Sequence, residues 1–193
     1  MTSDARIAHP YVESRFADQL ELVRRSRQRL ALPDAPPGYR LRAYAPDDER
    51  EYHALFRLAW PNQGTLPHTL AHALPDGFLL VEEESTHRLV GSCVAFEPET
   101  LAHGENGSLG WLVVDPAHGG RGIGTLLAAT VTNRLLDEPY ALPWLGTEDD
   151  RLAAIRIYLR LGWEPHLYAE GMEQRWREIF ERLGMKGRPL GAS

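Results

Sequence analysis

Between Val113 and Leu127 the chain reads VVDPAHGGRGIGTLL, an apolar run that breaks into four glycines and one arginine before a helix-like segment begins. A strand entering a helix through such a loop gathers free backbone N–H groups and the positive end of the helix dipole at one point. That point attracts phosphate. The spacing separates the known uses of such a loop. A P-loop needs GxxxxGK followed by Ser or Thr, but Thr125 directly follows Gly124, so no lysine reaches the phosphates. A dinucleotide fingerprint needs GxGxxG. Gly122 and Gly124 supply its first pair, but Leu127 stands at the third position, which makes a dinucleotide-dependent oxidoreductase the weakest reading. A turn that only reverses the chain is the reading that needs no ligand.

The partners such a loop can serve are narrowed by composition. The net charge of −6 repels nucleic acid and anionic membranes on average, so neither is an expected partner without a local basic patch. RRSRQR, Arg24 to Arg29, is the candidate patch, and it reads as one solvated face of a helix. No apolar run approaches the ~20 residues of a membrane helix, and MTSDARIAHPY lacks a basic-then-apolar leader, so the expected location is cytoplasmic. The single Cys93 can form no internal bridge and belongs to no CxxC pair; within LVGSCVAF it reads as a buried, inert thiol.

Along the chain, Phe16, Leu20, Val23 and Leu30 recur near the helical period and predict an amphipathic helix over Tyr11–Leu30. PDAPPG then reads as a linker. YRLRAY predicts a strand, PDDEREYHALFRLAW a helix, and Pro67–Leu74 a short helix. GFLLVEEE and RLVGSCVAFEP form an expected hairpin, with Glu82–Glu84 at its solvated end. GSLGWLVVD, ALPWLG and WEPHLYAE are further strands; LLAATVTNRLL and DDRLAAIRIYLRLG are helices. Gly110 suggests a bulge, and Pro143 a break in the hydrogen-bond ladder. In the tail, Met172, Trp176, Ile179, Phe180 and Leu183 form one helical stripe, which either packs on the core or makes a homodimer contact. The order predicts an α/β (α+β) sheet domain, divided as residues 1–37 (helix and linker), 38–170 (main domain) and 171–193 (C-terminal helix and tail).

GGRGIGTLL closely resembles the pyrophosphate turn of the GNAT superfamily of acetyl-CoA-dependent N-acetyltransferases. AAIRIYLRLGW resembles that family's later motif, matched by Ala154, Ile155, Tyr158, Leu161, Gly162 and Trp163. Gly119 stands where the family usually has Arg or Gln, Arg151 where an Asn is common, and Trp163 where Phe is usual. The resemblance covers roughly Tyr39–Tyr168. It implies a mixed, mainly antiparallel sheet flanked by helices, with extra N- and C-terminal helices here. The strand before the glycine loop should bulge and splay from the next, admitting the acyl-pantetheine arm. It also implies acetyl-CoA contacts from Leu112, Val113, Val114, Gly119, Gly120, Arg121, Gly122, Ile123, Gly124 and Thr125. The tail helix stands where the family has a last strand, so the acceptor side should be remodelled.

The implied reaction is direct attack of a primary amine, on a small molecule or peptide, upon acetyl-CoA in a ternary complex. The departing thiolate is helped by gaining a proton, and the resemblance places Tyr158 for that role; ordinary packing of its ring is the alternative. The position at which some members of the family carry a glutamate base is Ser108, which has no carboxylate, and none of Glu97, Glu99, His103 and Glu105 is assigned as its replacement. Trp60, Asn62, His68 and His72 are expected to border the acceptor pocket. His68 and His72 lie four apart, but neither an HExxH glutamate nor a third ligand accompanies them, so no metal is expected. TEDD, Thr147 to Asp150, reads as a helix cap. A CoA-binding module without turnover is the other reading, because Gly119 and Ser108 both depart from the family.

Overall fold

The computed structural model describes residues 19–62, 66–98 and 105–185. Strands β1 (Leu20–Val23), β2 (Tyr39–Ala43), β3 (Ala73–Glu83), β4 (Arg88–Phe96), β5 (Ser108–Val114), β6 (Trp144–Thr147) and β7 (Glu164–His166) form a seven-stranded sheet in the order β2-β3-β4-β5-β6-β1-β7. Every pairing is antiparallel except β5 with β6. Helices α1 (Glu49–Arg57) and α2 (Leu66–His72) cover one face, and α3 (Ile123–Leu136), α4 (Leu152–Arg160) and α5 (Met172–Arg182) the other. Strand alternation sorts the core accordingly: Leu79 and Val81 of β3 join the α3–α5 side, whereas Phe78 and Leu80 join Tyr52, Leu55 and Phe56 of α1. This mixed, mostly antiparallel sheet lacks the parallel, doubly wound form that a dinucleotide site at the glycine loop requires.

The predicted N-terminal helix is not what forms. Leu20–Val23 is a strand, and the chain beyond it runs without helix to Gly38; residues 11–18 of the expected helix lie outside the described residues. The segment LELV also alternates, and burial of Leu20 and Leu22 between β6 and β7 outweighs helical propensity. Glu21, on the opposite side, accepts from His166 Nδ1 at 2.9 Å. The sheet is therefore completed from the N-terminal side rather than from the tail.

The arginine run is likewise no solvated helical face. Arg24 is buried, donates to the Gly162 carbonyl at 3.1 Å and is lowered from its ordinary pKa by burial, with Glu164 opposing. Arg27 caps the end of α3 through the carbonyls of Leu136 and Glu138, at 2.7 and 2.9 Å. Arg29 pairs with Asp137. Asn133 exchanges two hydrogen bonds with the backbone of Leu30, fastening the strap along α3.

The C-terminal stripe faces the core. Met172, Trp176, Ile179, Phe180 and Leu183 are all buried in the cluster that holds α3 and α4. Asp149, expected as a cap, instead takes Arg175 in a bidentate pair and ties α5 to the start of α4. Trp163 is fully buried, and its indole N–H donates to Thr132 Oγ1 at 3.1 Å, which satisfies the polar atom that a phenylalanine would not bring. Glu82 is also corrected: it is buried and held by His87, Arg42 and Arg40.

Candidate active site

The glycine loop sits where strand β5 hands over to α3. Asp115 Oδ1 accepts the Ala117 N–H at 2.9 Å, and Tyr39 Oη meets His118 Nδ1 at 2.8 Å, so the turn before the loop is pinned. Gly119–Gly122 are exposed, and Gly120 and Gly122 have φ of +75° and +89°, a left-handed backbone that side chains with a Cβ rarely adopt. Gly122 is the N-cap of α3, so the first-turn N–H groups of that helix open at the loop.

A groove of about 1480 Å³ runs from this loop along the edge of β5 and the flank of α4. Leu112, Val113, Val114, Gly119, Gly120, Gly122, Ile123, Gly124 and Thr125 all line it, whereas Arg121 is exposed outside the lining. The groove is also lined by Arg156 and Arg160 of α4, cations that no motif singled out. Arg156 donates to the Leu183 carbonyl at 3.1 Å, and the pair adds positive charge to the groove that holds the loop.

Strand β5 has the irregularity that the groove requires. Ser92 pairs with Val113 and Val94 with Gly110, so two residues of β5 oppose Cys93 alone. The bulge centres on Trp111, whose φ is +52°, one residue beyond the glycine that suggested it. The carbonyls of Gly110 and Trp111 accept from Cys93 Sγ at 3.6 Å and Ser92 Oγ at 3.3 Å. Strands β5 and β6 then pair in the ladder at one position, Ser108 opposite Trp144, before diverging. Pro143 lies just before β6 rather than inside it, and its carbonyl accepts the Arg24 N–H at 2.8 Å.

Behind the splay lies a cavity of about 100 Å³ walled by Trp60, Phe96, Trp111 and Trp144, with Ser108, Tyr158 and His68 among its other lining residues. Gly110 shapes it, because a Cβ there would stand 2.6 Å from the Phe96 ring. Trp60, Leu112, Glu148 and Arg151 line both hollows, so the groove and the cavity meet at these residues. Arg151 lies 4.2 Å over the Trp60 ring and donates to the Leu112 carbonyl at 3.3 Å, bridging α4 to β5.

The remaining expected residues fall as follows. Tyr158 is buried and lines the cavity; burial pushes its phenol above the usual range, with the Cys93 thiol adding and Arg151 opposing. Cys93 itself is fully buried and its thiol is pushed up by burial, an inert environment. Asn62 borders the groove rather than the cavity. His68 and His72 share a face with ring centroids 4.5 Å apart, but His72 meets Glu97 Oε1 at 3.1 Å and lines neither hollow. Glu105 is exposed, and Glu99 and His103 lie outside the described residues. Among the described residues, no group of three His, Cys, Asp or Glu side chains is placed to hold a metal ion. Sequence reasoning misses Glu148 and Gln19: the first reads as a helix cap, the second as part of a helix. Neither local signal points to a cavity, because the two residues that meet there are 129 positions apart.

The fold is shared with solved structures. A GCN5-related N-acetyltransferase from Sphaerobacter thermophilus superposes with a TM-score of 0.61 at 24% identity over 77% of this chain and 49% of that one. One from Kribbella flavida gives 0.54 at 24% over 77% and 54%. A tandem GNAT protein of the clavulanic acid biosynthesis pathway gives 0.56 at 18% over 77% and 51%. The chain thus spans about half the length of these proteins. No curated protein matches the sequence significantly. The profile of the acetyltransferase (GNAT) family matches residues 38–163, from the start of β2 through Trp163 and including both motifs, and the chain belongs to that family.

Proposed function

We propose that the protein is an N-acetyltransferase that moves the acetyl group of acetyl-CoA to a primary amine by direct attack in a ternary complex. The observation that carries this reading is the junction of the two hollows. The long groove opens on a dipole-backed glycine loop at one end and ends at the bulged edge of β5, where an aromatic cavity takes over. The groove suits an extended donor with an anionic head. Its pyrophosphate would lie on the N–H groups of the loop, with Arg156 and Arg160 adding positive charge to the same groove, and its pantetheine arm along Leu112–Val114. The donor supplies an activated thioester; everything else is positioning and proton transfer by the chain.

We assign Tyr158, which lines the cavity, the second half of that task. Burial keeps the Tyr158 phenol protonated, and a thiolate expelled into the same desolvated surroundings would be a stronger base than in water, which would let it take that proton. The acceptor enters from the cavity side. With aromatic walls, one carboxylate and one guanidinium, the cavity favours a compact monoamine with an apolar body, free or at the end of a peptide, over a polyamine. No helix among the described residues is long and apolar enough to cross a membrane, in keeping with the cytoplasmic location we favour.

CoA thiol release in the presence of a panel of primary amines tests the reading. Turnover in the wild type that falls about 100-fold in Tyr158→Phe supports it. Tight acetyl-CoA binding with no turnover on any amine identifies a CoA-binding module instead.

A further inference from the structure

The acceptor side still lacks a proton acceptor. Ser108, where the family resemblance leads one to expect a carboxylate, lines the cavity with a hydroxyl. Among the described residues lining the cavity, Glu148 is the one carboxylate and His68 the one imidazole. His68 does not border the donor groove, whereas Glu148 borders both hollows. It therefore stands where an amine in the cavity would approach a thioester in the groove.

Its placement is built rather than incidental. Glu148 follows the last residue of β6, and Gln19 precedes the first residue of β1, the strand inserted between β6 and β7. The pairing of Leu20 with Thr147 brings the two side by side, and Gln19 Nε2 donates to Glu148 Oε1 at 3.0 Å. Room for that amide exists because residue 146 is glycine; a Cβ there would stand 2.6 Å from Gln19 Oε1. The backbone N–H of Arg151 donates to the Glu148 carbonyl at 3.1 Å, which fixes the turn from β6 into α4. The amide thus holds the Glu148 side chain at the border of the two hollows, the kind of preorganisation that proton transfer benefits from.

We infer that Glu148 is the proton acceptor for the attacking amine and that Gln19 of the inserted strand is its positioning residue. The inference rests on the N-acetyltransferase reading above. The acceptor arrives as an ammonium ion and gives one proton to Glu148, which passes it to water. The nitrogen lone pair then forms the C–N bond at the thioester carbonyl carbon, and the C–S bond breaks with its electron pair going to sulfur. Tyr158 gives its proton to that sulfur, and the second proton shed by the nitrogen restores the phenol. Ammonium and thioester become amide, thiol and one released proton, with no other reactant needed.

The test compares two acceptors whose need for a base differs. 2-Phenylethylamine is an ammonium ion near pH 7, whereas hydroxylamine is already largely neutral. With acetyl-CoA as donor, Glu148→Gln is expected to slow transfer to 2-phenylethylamine by about 100-fold or more, while transfer to hydroxylamine above its uncatalysed background falls no more than about 5-fold. Glu148→Asp should recover part of the loss. Gln19→Ala should lower kcat on 2-phenylethylamine about tenfold without changing KM for acetyl-CoA. If Glu148→Gln slows both acceptors equally, or neither, the base assignment is overturned while the transferase reading stands. If the wild type transfers to neither acceptor, both fall.

Discussion

Replacing Gly122 with alanine separates a ligand-holding loop from an ordinary turn. The residue has φ of +89° and ψ of −4°, and a Cβ built on it meets nothing within 4 Å. The substitution therefore introduces no clash. Its cost is the backbone conformation alone, about 1–2 kcal/mol for a residue with a Cβ in the left-handed region. Where that cost appears depends on what the loop does. Gly119–Gly122 are exposed, so the free protein can relax the strained residue toward solvent and lose little stability. Binding a pyrophosphate would require the original geometry again, and the strain would then be taken from the binding energy. A cost of about 1–2 kcal/mol corresponds to a Kd raised about 5–30-fold. Calorimetric titration should show this loss equally for acetyl-CoA and CoA, because the proposed contacts of the loop are with the shared head and not the acyl group, with little change in Tm. Gly77→Ala provides the contrast: its Cβ would stand 2.9 Å and 3.0 Å from the backbone oxygens of Leu74 and Ala95, which cannot move aside as a side-chain end can, so it should lower Tm. A Gly122→Ala protein that binds acetyl-CoA within about twofold of wild type, or that loses stability as Gly77→Ala does, would refute the argument.

Two further outcomes concern the frame around the site. Glu82 is held at about 2, below its ordinary 4.5, by the His87 hydrogen bond first and Arg42 next, against the opposing effect of burial. Its folded value is depressed, so it stabilises the protein above the unfolded value, and that contribution disappears as the pH falls from 4.5 towards 2. The shift corresponds to about 3 kcal/mol at neutral pH, trimmed to about 2 because Arg40 and His87 are largely exposed. Urea unfolding between about pH 6 and 2.5 should show this loss, and Glu82→Gln should flatten the dependence. Thr132→Val removes the acceptor of the Trp163 indole N–H at nearly constant volume, leaving a buried donor without a partner. The expected loss is about 1–3 kcal/mol in denaturant unfolding, with acetyl-CoA affinity retained.

The parts of the molecule legible in the sequence are those whose signals are local. The glycine loop, the strand before it and the helix after it are contiguous, so their spacing alone carries their geometry. The hairpin of β3 and β4 and the closing of α4 at Gly162 are readable for the same reason. What the sequence conceals depends on distant partners. Leu20 and Val23 fit a helical period, but Leu20 and Leu22 fit alternation as well. The choice is made by β6 and β7, more than a hundred residues away, which leave a slot between them. Arg27 and Arg29 follow the same choice: on a helix they would belong to a solvated face, whereas on a strap along α3 they meet its end. Glu148 and Asp149 have the composition of a cap in sequence, but the arrival of Gln19 and Arg175 gives them other partners. A site assembled where β1 meets β6 is not written in either strand alone.

The central claim is that the groove holds acetyl-CoA, and the most direct measurement is calorimetric titration of the protein with acetyl-CoA, alongside CoA, NADH and ATP. The account predicts micromolar binding of acetyl-CoA and CoA, weakened in Gly122→Ala, and no comparable binding of NADH. Absence of acetyl-CoA binding, or a preference for NADH, would contradict it.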